Sequence, residues 1–408
     1  MKIGYIGMSH LGIVSSVCSA KYCKKVICFD LNNNKINKLN KGNLIIKERN
    51  LKKIYNRFKK KIFFTNNIKH LNECDFIYLS IDTKTKNNII DLTQVEYYIK
   101  LFKSYFLNKK KLIILSQLPF NFIQRNNLKK DHNIEVQVET LIFGNAVERF
   151  INPERIIFGT ENNKIPNIIN SFLKKFKCPI IKMNRESALL TKMSINLYLA
   201  SQVTVTNYLS NICELNNVDW DPIREALSLD RRIGKYAYLS PGLGLSGGNV
   251  ERDLFNLKNL SKEKKMRNSI VQSIIYDSDL RKEWVYQTLE KLLNKKSNKI
   301  GILGMSYKSG TNSIKNSPAV NIVKQFKKIN FDIYDPLVLN SQIESKNINF
   351  KSNINSLLVK NKIIIIMNND KYYLKNIKFF KKKHIIIDPF RVLFNYKYMF
   401  KNYFCLGL

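Results

Sequence analysis

Twice along this chain a short apolar run ends in a glycine-led turn and passes into a helix-like stretch. The first is Lys2–Ile6 followed by Gly7-Met8-Ser9-His10-Leu11-Gly12; the second is Lys299–Leu303 followed by Gly304-Met305-Ser306. Such a unit opens a parallel sheet, because parallel neighbours need a crossover that a helix supplies. Further apolar runs follow at Lys25–Phe29, Phe76–Ile81, Leu112–Ser116 and Arg155–Phe158, then at Asp332–Tyr334, Lys362–Met367 and His384–Ile387. Their spacing predicts βαβ units in two sheets. Between them, Leu189, Leu190, Met193, Leu197 and residues 199–205 predict a long, largely buried helix. A polar, periodic stretch over 262–296 predicts a second one that bridges two domains.

The first turn carries a chemical expectation. Gly7 makes the tight turn, Gly12 lets helix and strand pack closely, and Ser9 stands where a middle glycine is usual. A pyrophosphate would rest on the helix N-terminus, where unpaired N–H groups and the dipole favour anions. Asp30, at the end of the second strand, suits a ribose 2′-hydroxyl and would repel a 2′-phosphate, so NAD is expected over NADP. His10 reads as a helix-entry residue. The expected fold class is therefore α/β, with two Rossmann-like parallel-sheet domains joined by a helical central region. The expected boundaries are an NAD-binding domain over 1–185, a helical central domain over 186–297 and an α/β domain over 298–408. A chain of 408 residues is long enough for two or three cores.

Charge and composition narrow the partners. Lys and Arg number 69 against 31 Asp and Glu, a net charge of +38 that would suit nucleic acid or a membrane surface. The lysines are dispersed along the whole chain alongside abundant Asn and Ile, the residues of AT-rich codons, so nucleic acid is not the expected partner. No run of about 18 apolar residues predicts a membrane span. The apolar start runs straight into a charged strand end with no small-residue cleavage site, which predicts no signal peptide. Seven cysteines (18, 23, 28, 74, 178, 213 and 405) lack disulfide or metal spacing and predict reduced thiols in a cytoplasmic protein. His10, His70, His132 and His384 do not cluster, so no metal site is expected.

Several further segments fall at strand ends or helix starts. Ile81-Asp82-Thr83-Lys84-Thr85 and Ser116-Gln117-Leu118-Pro119 follow strands. Val138-Glu139-Thr140-Leu141-Ile142-Phe143-Gly144-Asn145-Ala146 precedes Phe150-Ile151-Asn152-Pro153-Glu154-Arg155-Ile156. Lys192 and Asn196 are four apart in the long helix and share a face. A lysine there either faces a ligand or charge, or snorkels to solvent. Asp230-Arg231-Arg232-Ile233-Gly234 leads to a loop with four glycines and one proline that ends Gly247-Gly248-Asn249-Val250-Glu251-Arg252-Asp253. Such a loop exposes main-chain N–H groups to a ligand. Beyond Leu303 come Lys308, Lys315-Asn316-Ser317-Pro318-Ala319, Tyr334-Asp335-Pro336 and Asp388-Pro389-Phe390-Arg391. Lys308 and Lys315 suit phosphates, Ser317 suits a helix cap, and Arg391 suits either a nucleotide or a strand-end anchor.

In this order the segments resemble those of the UDP-glucose/GDP-mannose dehydrogenase family. The resemblance implies NAD as cofactor, a nucleotide sugar (UDP-linked) as substrate, a homodimer built on the central domain over 186–297 and UDP-sugar binding by the α/β domain over 298–408. It places Thr83 and Thr85 on the cofactor, in a loop that usually reads Gly-Thr-Pro-Thr. It makes Gln117 the holder of a catalytic water and Glu139 a proton acceptor, with Phe143 at a second glutamate's position. Lys192 would steady the alkoxide, assisted by Asn196, and Asp253 would complete the catalytic set. Arg232, Gly247, Gly248, Lys308, Lys315 and Arg391 would bind substrate, Arg232 reaching a neighbouring subunit's nucleotide. The family's reaction takes a sugar C6 alcohol to a carboxylate, the second oxidation passing through a loop cysteine. Here Asn249 or Val250 falls at that cysteine's place. Three outcomes stand: oxidation that stops at the aldehyde, oxidation of a bound hydrate assisted by Glu139 or Asp253, or a non-catalytic binding protein with a structural or regulatory role.

Overall fold

The computed structural model describes residues 1–86, 89–106, 109–129, 131–246, 248–293 and 300–408. The chain divides into two compact units, Met1–Ser194 and Ile195–Leu408.

The first unit holds a sheet built from β1 (Lys2–Ile6), β2 (Lys25–Phe29), β3 (Ile62–Thr65) and β4 (Phe76–Leu79). After a hairpin, β5 (Lys84–Lys86) and β6 (Ile89–Asp91), it continues with β7 (Leu112–Ile114), β8 (Ile134–Gln137), β9 (Ile156–Gly159) and β10 (Ile180–Met183). The spatial order is β10-β9-β8-β7-β4-β1-β2-β3. The order reverses between β1 and β4, the place where open α/β sheets leave a ligand crevice. Expectation and structure differ at β9, which runs antiparallel to β8. Parallel and antiparallel strands share the same side-chain alternation, so periodicity carried no sign of direction. Central strands such as β4 are buried at every residue, which explains their continuous apolar runs. Helix α1 (His10–Ser19) packs in the same core; Leu11 through Ser19 are all buried, and the Ser19 and Tyr5 hydroxyls bond each other at 2.7 Å.

Helix α2 (Asn33–Asn40) follows β2. Helix α3 (Arg185–Asn216) is 32 residues long and crosses from the first unit into the second. The expectation of a largely buried helix is corrected here: Tyr198, Tyr208 and Leu215 are 73%, 62% and 75% exposed. An apolar stripe reads the same whether it faces a core or awaits a partner surface.

The second unit continues with α4 (Trp220–Leu229), α5 (Asn249–Glu263), α6 (Ser269–Lys282) and α7 (Trp284–Leu292). The expected continuous helix over 262–296 is thus interrupted after Glu263 and again at Glu283, and residues 294–299 lie outside the described part. Lys265 has φ +54°, the left-handed conformation that ends a helix. The second sheet comprises β11 (Ile300–Leu303), β12 (Phe331–Tyr334), β13 (Ile348–Phe350), β14 (Ile363–Ile366), β15 (Ile385–Ile387) and β16 (Asn402–Phe404). Its order is β13-β12-β11-β14-β15-β16, and every pairing is parallel. Val285 and Leu289 of α7 pack in its core with Ile300 and Ile302. No helix among the described residues is long and apolar enough to cross a membrane.

Candidate functional site

The turn after β1 is built for close approach. Gly7 has φ +92°, and its N–H donates to the Phe29 carbonyl at 2.8 Å. A Cβ on Gly12 would lie 1.9 Å from the Gly7 oxygen, so only glycine lets α1 start so near the strand. Ser9 caps α1: its hydroxyl accepts the Gly12 N–H at 3.4 Å and donates to the Ser80 carbonyl at 2.8 Å. The buried Asp30 carboxylate accepts N–H bonds from Met8 at 2.7 Å and Asn32 at 3.0 Å, and pairs with Lys35 Nζ at 2.7 Å. A helix start against a glycine turn, with a carboxylate at the next strand end, fits a dinucleotide.

The ends of β4 and β7 are tied together beside it. The Ile81 N–H donates to Ser116 Oγ at 2.8 Å, and the buried Thr83 hydroxyl donates to the Gln117 carbonyl at 3.2 Å. Thr85 lies on β5, and its side chain is outside the described part. Gln117, Glu139 and Lys192 line one crevice with Ser116, Val138 and Leu189. Lys192 Nζ donates to the Glu139 carbonyl at 2.8 Å and lies 3.8 Å from its carboxylate, which itself folds back onto the Leu141 N–H. The Lys192 side chain is only 18% exposed, so its charge is turned inward rather than snorkelling to water.

In the second unit Asn196 and Asp253 meet. Asn196 Nδ2 donates to Asp253 Oδ2 at 2.6 Å, with Asp253 fully buried. Asp253 lies on α5 rather than in the loop, because the helix begins at Asn249. Gly248 precedes it with φ +90°, and a Cβ there would strike the Lys315 side chain at 2.7 Å. Arg252 Nη2 donates to Asn249 Oδ1 at 3.1 Å. Gly247 lies outside the described residues. Arg232 sits on an exposed turn, its guanidinium on Asp230 at 2.7 Å. The Arg391 guanidinium is held by Asp219 at 2.8 Å, Asp221 at 3.3 Å and the Phe394 ring at 3.7 Å, so it anchors the loop after β15 to the start of α4.

The turn after β11 echoes the first. Gly304 has φ +94°, and its N–H donates to the Tyr334 carbonyl at 2.9 Å. Asp335 accepts from the N–H groups of Met305 and Ser306 at 2.7 and 3.1 Å. Lys308 and Lys315 are exposed on the following loop. Helix α8 (Pro318–Gln325) comes later, and Ser317 does not cap it through its side chain as expected; its hydroxyl donates to the Met305 carbonyl at 2.8 Å, closing the loop instead.

Burial pushes all seven thiols upward. Cys18, Cys28, Cys74 and Cys405 reach about 12 and Cys23 about 11, with Cys178 and Cys213 also raised. None is poised as a thiolate near neutral pH.

Sequence reasoning missed three residues. Glu48, its side chain 1% exposed, binds His10 Nε2 at 2.9 Å and the N–H groups of Gly144 and Ala146 at 2.7 and 3.3 Å. It ties the cofactor turn to the Glu139-bearing segment, where the Phe143 ring lies tilted against His10 with centroids 4.2 Å apart. It sits in a basic loop, Lys47-Glu48-Arg49, that gives no signal. Lys35 was legible only as the fifth residue after Asp30. Glu251 pairs with Lys282 at 2.9 Å and also binds Asn316, joining α5, α6 and the loop after β11.

The chain matches three domains of one family in order. These are the NAD binding domain of the UDP-glucose/GDP-mannose dehydrogenase family over residues 1–177, its central domain over 186–276 and its UDP binding domain over 301–395. It is 30% identical over 374 residues to a UDP-glucose 6-dehydrogenase of Rickettsia bellii, covering 86% of this chain and 84% of that one. It is 27% identical over 354 residues to the UDP-glucose 6-dehydrogenase TuaD of Bacillus subtilis, covering 83% and 76%. Among solved structures, a UDP-glucose dehydrogenase from Pyrobaculum islandicum superposes with a TM-score of 0.87 at 19% identity, covering 99% of this chain and 96% of that one.

Proposed function

From the premise that this chain belongs to the UDP-glucose/GDP-mannose dehydrogenase family, and so is an NAD-dependent oxidoreductase acting on a CH–OH group of a nucleotide sugar, we propose that it oxidises the C6 hydroxyl of a UDP-glucose-like sugar and releases the aldehyde. Bound NAD supplies the hydride acceptor, held by the Gly7–Gly12 turn, Asp30, Thr83 and Thr85. The Lys192 ammonium offsets charge as the alcohol becomes an alkoxide. Glu139, 3.8 Å from it, takes the proton directly or through a water held by Gln117. Asn196 donates to the sugar oxygen, and buried Asp253 fixes the amide that does so. Gly248, Lys308 and Lys315 hold the diphosphate, and Arg232 reaches the site of a second copy. A homodimer would cover the exposed face of α3.

The observation that carries the truncated reaction is the state of the thiols. Asn249 opens α5 where the resemblance places a nucleophilic cysteine, and every cysteine is shifted away from thiolate. The balance is one alcohol and one NAD giving one aldehyde, one NADH and one proton. The test is NADH formed per sugar at completion, across UDP- and GDP-sugars. One per sugar is expected. Two would overturn the truncation and assign a hydrated aldehyde to Glu139 or Asp253. None with any sugar, despite NAD binding, would leave the non-catalytic reading.

A further inference from the structure

Two departures from the resembling motifs meet at the start of α1. Ser9 stands at the middle glycine's place, and Asp82 stands at the first residue of a segment that usually reads Gly-Thr-Pro-Thr. Each side chain accepts from an N–H group of the same first helical turn. Asp82 Oδ2 accepts the His10 N–H at 3.1 Å, and Ser9 Oγ accepts the Gly12 N–H at 3.4 Å. A helix offers an anion only the N–H groups of its first turn. In α1 two of these already serve the chain's own oxygens, and one of the oxygens belongs to a carboxylate.

We propose that α1 is capped by its own chain, with Asp82 acting as a resident anion that the cofactor's pyrophosphate must displace. The idea rests on the assignment of NAD to this turn. Asp82 is itself exposed, between buried Ile81 and Thr83, so its side chain can swing away without disturbing the sheet. Ser9 is less free, because its hydroxyl also bonds the Ser80 carbonyl at 2.8 Å. Displacement of Asp82 costs its charge-assisted bond at the helix dipole. A carboxylate that leaves the amide but stays nearby also repels the pyrophosphate through a short, partly hydrated gap. The device holds the helix start formed in the free enzyme and weakens NAD binding. Asp82 is thus a residue that sets cofactor affinity, not one that performs chemistry.

The test measures NAD affinity by fluorescence titration for the parent, Asp82→Ala and Asp82→Asn, with circular dichroism and melting as folding controls. About tenfold tighter binding is expected for Asp82→Ala. Asp82→Asn, which keeps an acceptor but loses the charge, should fall between the two. Amide exchange supplies a readout independent of turnover: in the free protein the His10 amide should exchange faster in Asp82→Ala than in the parent, and slow again once NAD is added. Unchanged or weaker NAD binding in a folded Asp82→Ala variant would overturn the proposal and leave the cofactor assignment intact. Failure of every form, parent included, to bind NAD would overturn that assignment itself.

Discussion

Gly12→Ala separates local from tertiary reasoning, because the two give opposite signs. Gly12 is inside α1, where alanine is favoured over glycine by about 1 kcal/mol. Helix propensity alone therefore predicts a more stable protein. The structure predicts the reverse. The new Cβ would lie 1.9 Å from the Gly7 oxygen, 2.9 Å from Ser80 Oγ and 3.0 Å from the Gly7 carbonyl carbon. The nearest atom is backbone and cannot rotate away. Ordinary contact begins near 3.4 Å, so the start of α1 must retreat by about 1.5 Å. That movement loosens Leu11, Ile13 and Val14, all in the main core of the first unit. Overpacking of this kind costs about 1–3 kcal/mol, so a net loss of up to about 2 kcal/mol is expected after the propensity gain of about 1 kcal/mol. The same retreat misplaces the amides proposed to receive the pyrophosphate, and NAD affinity should drop at least about tenfold. Urea unfolding gives the first quantity and fluorescence titration the second. A variant as stable as the parent, with NAD affinity within twofold, would refute the claim that close helix–strand approach builds this turn.

Two further outcomes are expected. Burial pushes the Glu135 carboxyl up to about 7 against the pull of Lys111 and Arg185. A carboxyl raised in the folded state contributes stability that is present below its unfolded value near 4.5 and lost as pH rises through about 7. Glu135→Gln should therefore flatten the decline between those values, by at most about 3 kcal/mol before screening by Lys111 and water; unfolding curves of parent and variant that stay parallel across the window would count against it. Alkylation with iodoacetamide near neutral pH should leave turnover unchanged, because every thiol is held upward; inactivation in step with one modified cysteine would show that a thiolate takes part after all.

How far the fold could be read depended on how each strand is buried. β1, β2, β4 and β14 are covered on both faces and declare themselves as apolar runs. Besides the separate β5–β6 hairpin, the strands that escaped are of two kinds. β3, β10, β13 and β16 lie at sheet edges, where a side chain such as Phe63 is 40% exposed and polar residues interrupt the run. β8 is central but carries buried Glu135, which burial drives toward its neutral form against the pull of Lys111, 3.7 Å away, and Arg185. The candidate site was legible wherever a turn needs glycine or a helix spacing sets two residues on one face. Lys192 and Asn196 are the example: one turn apart, each meets the acidic partner already singled out, Glu139 for one and Asp253 for the other. Glu48 was hidden because its partners are distant in sequence and two of them are main-chain amides.

The two glycine turns begin alike and then diverge, and the divergence bears on how each could hold phosphate. After Gly7 the helix starts at His10, so the first-turn amides and the dipole stand beside the strand end. After Gly304 the helix does not start until Pro318, and Asp335 already takes the Met305 and Ser306 amides. An anion at the first turn is met by fixed dipoles, which need close approach and hence Gly12. An anion at the second has to be met by side chains on the long loop, and Lys308 and Lys315 are the cations there. Fixed dipoles act only at contact, whereas mobile lysines act over a Debye length and weaken with salt. The lysine surplus of this chain therefore serves the second turn more than the first. The first is the turn where a single added carboxylate, Asp82, can compete on equal terms.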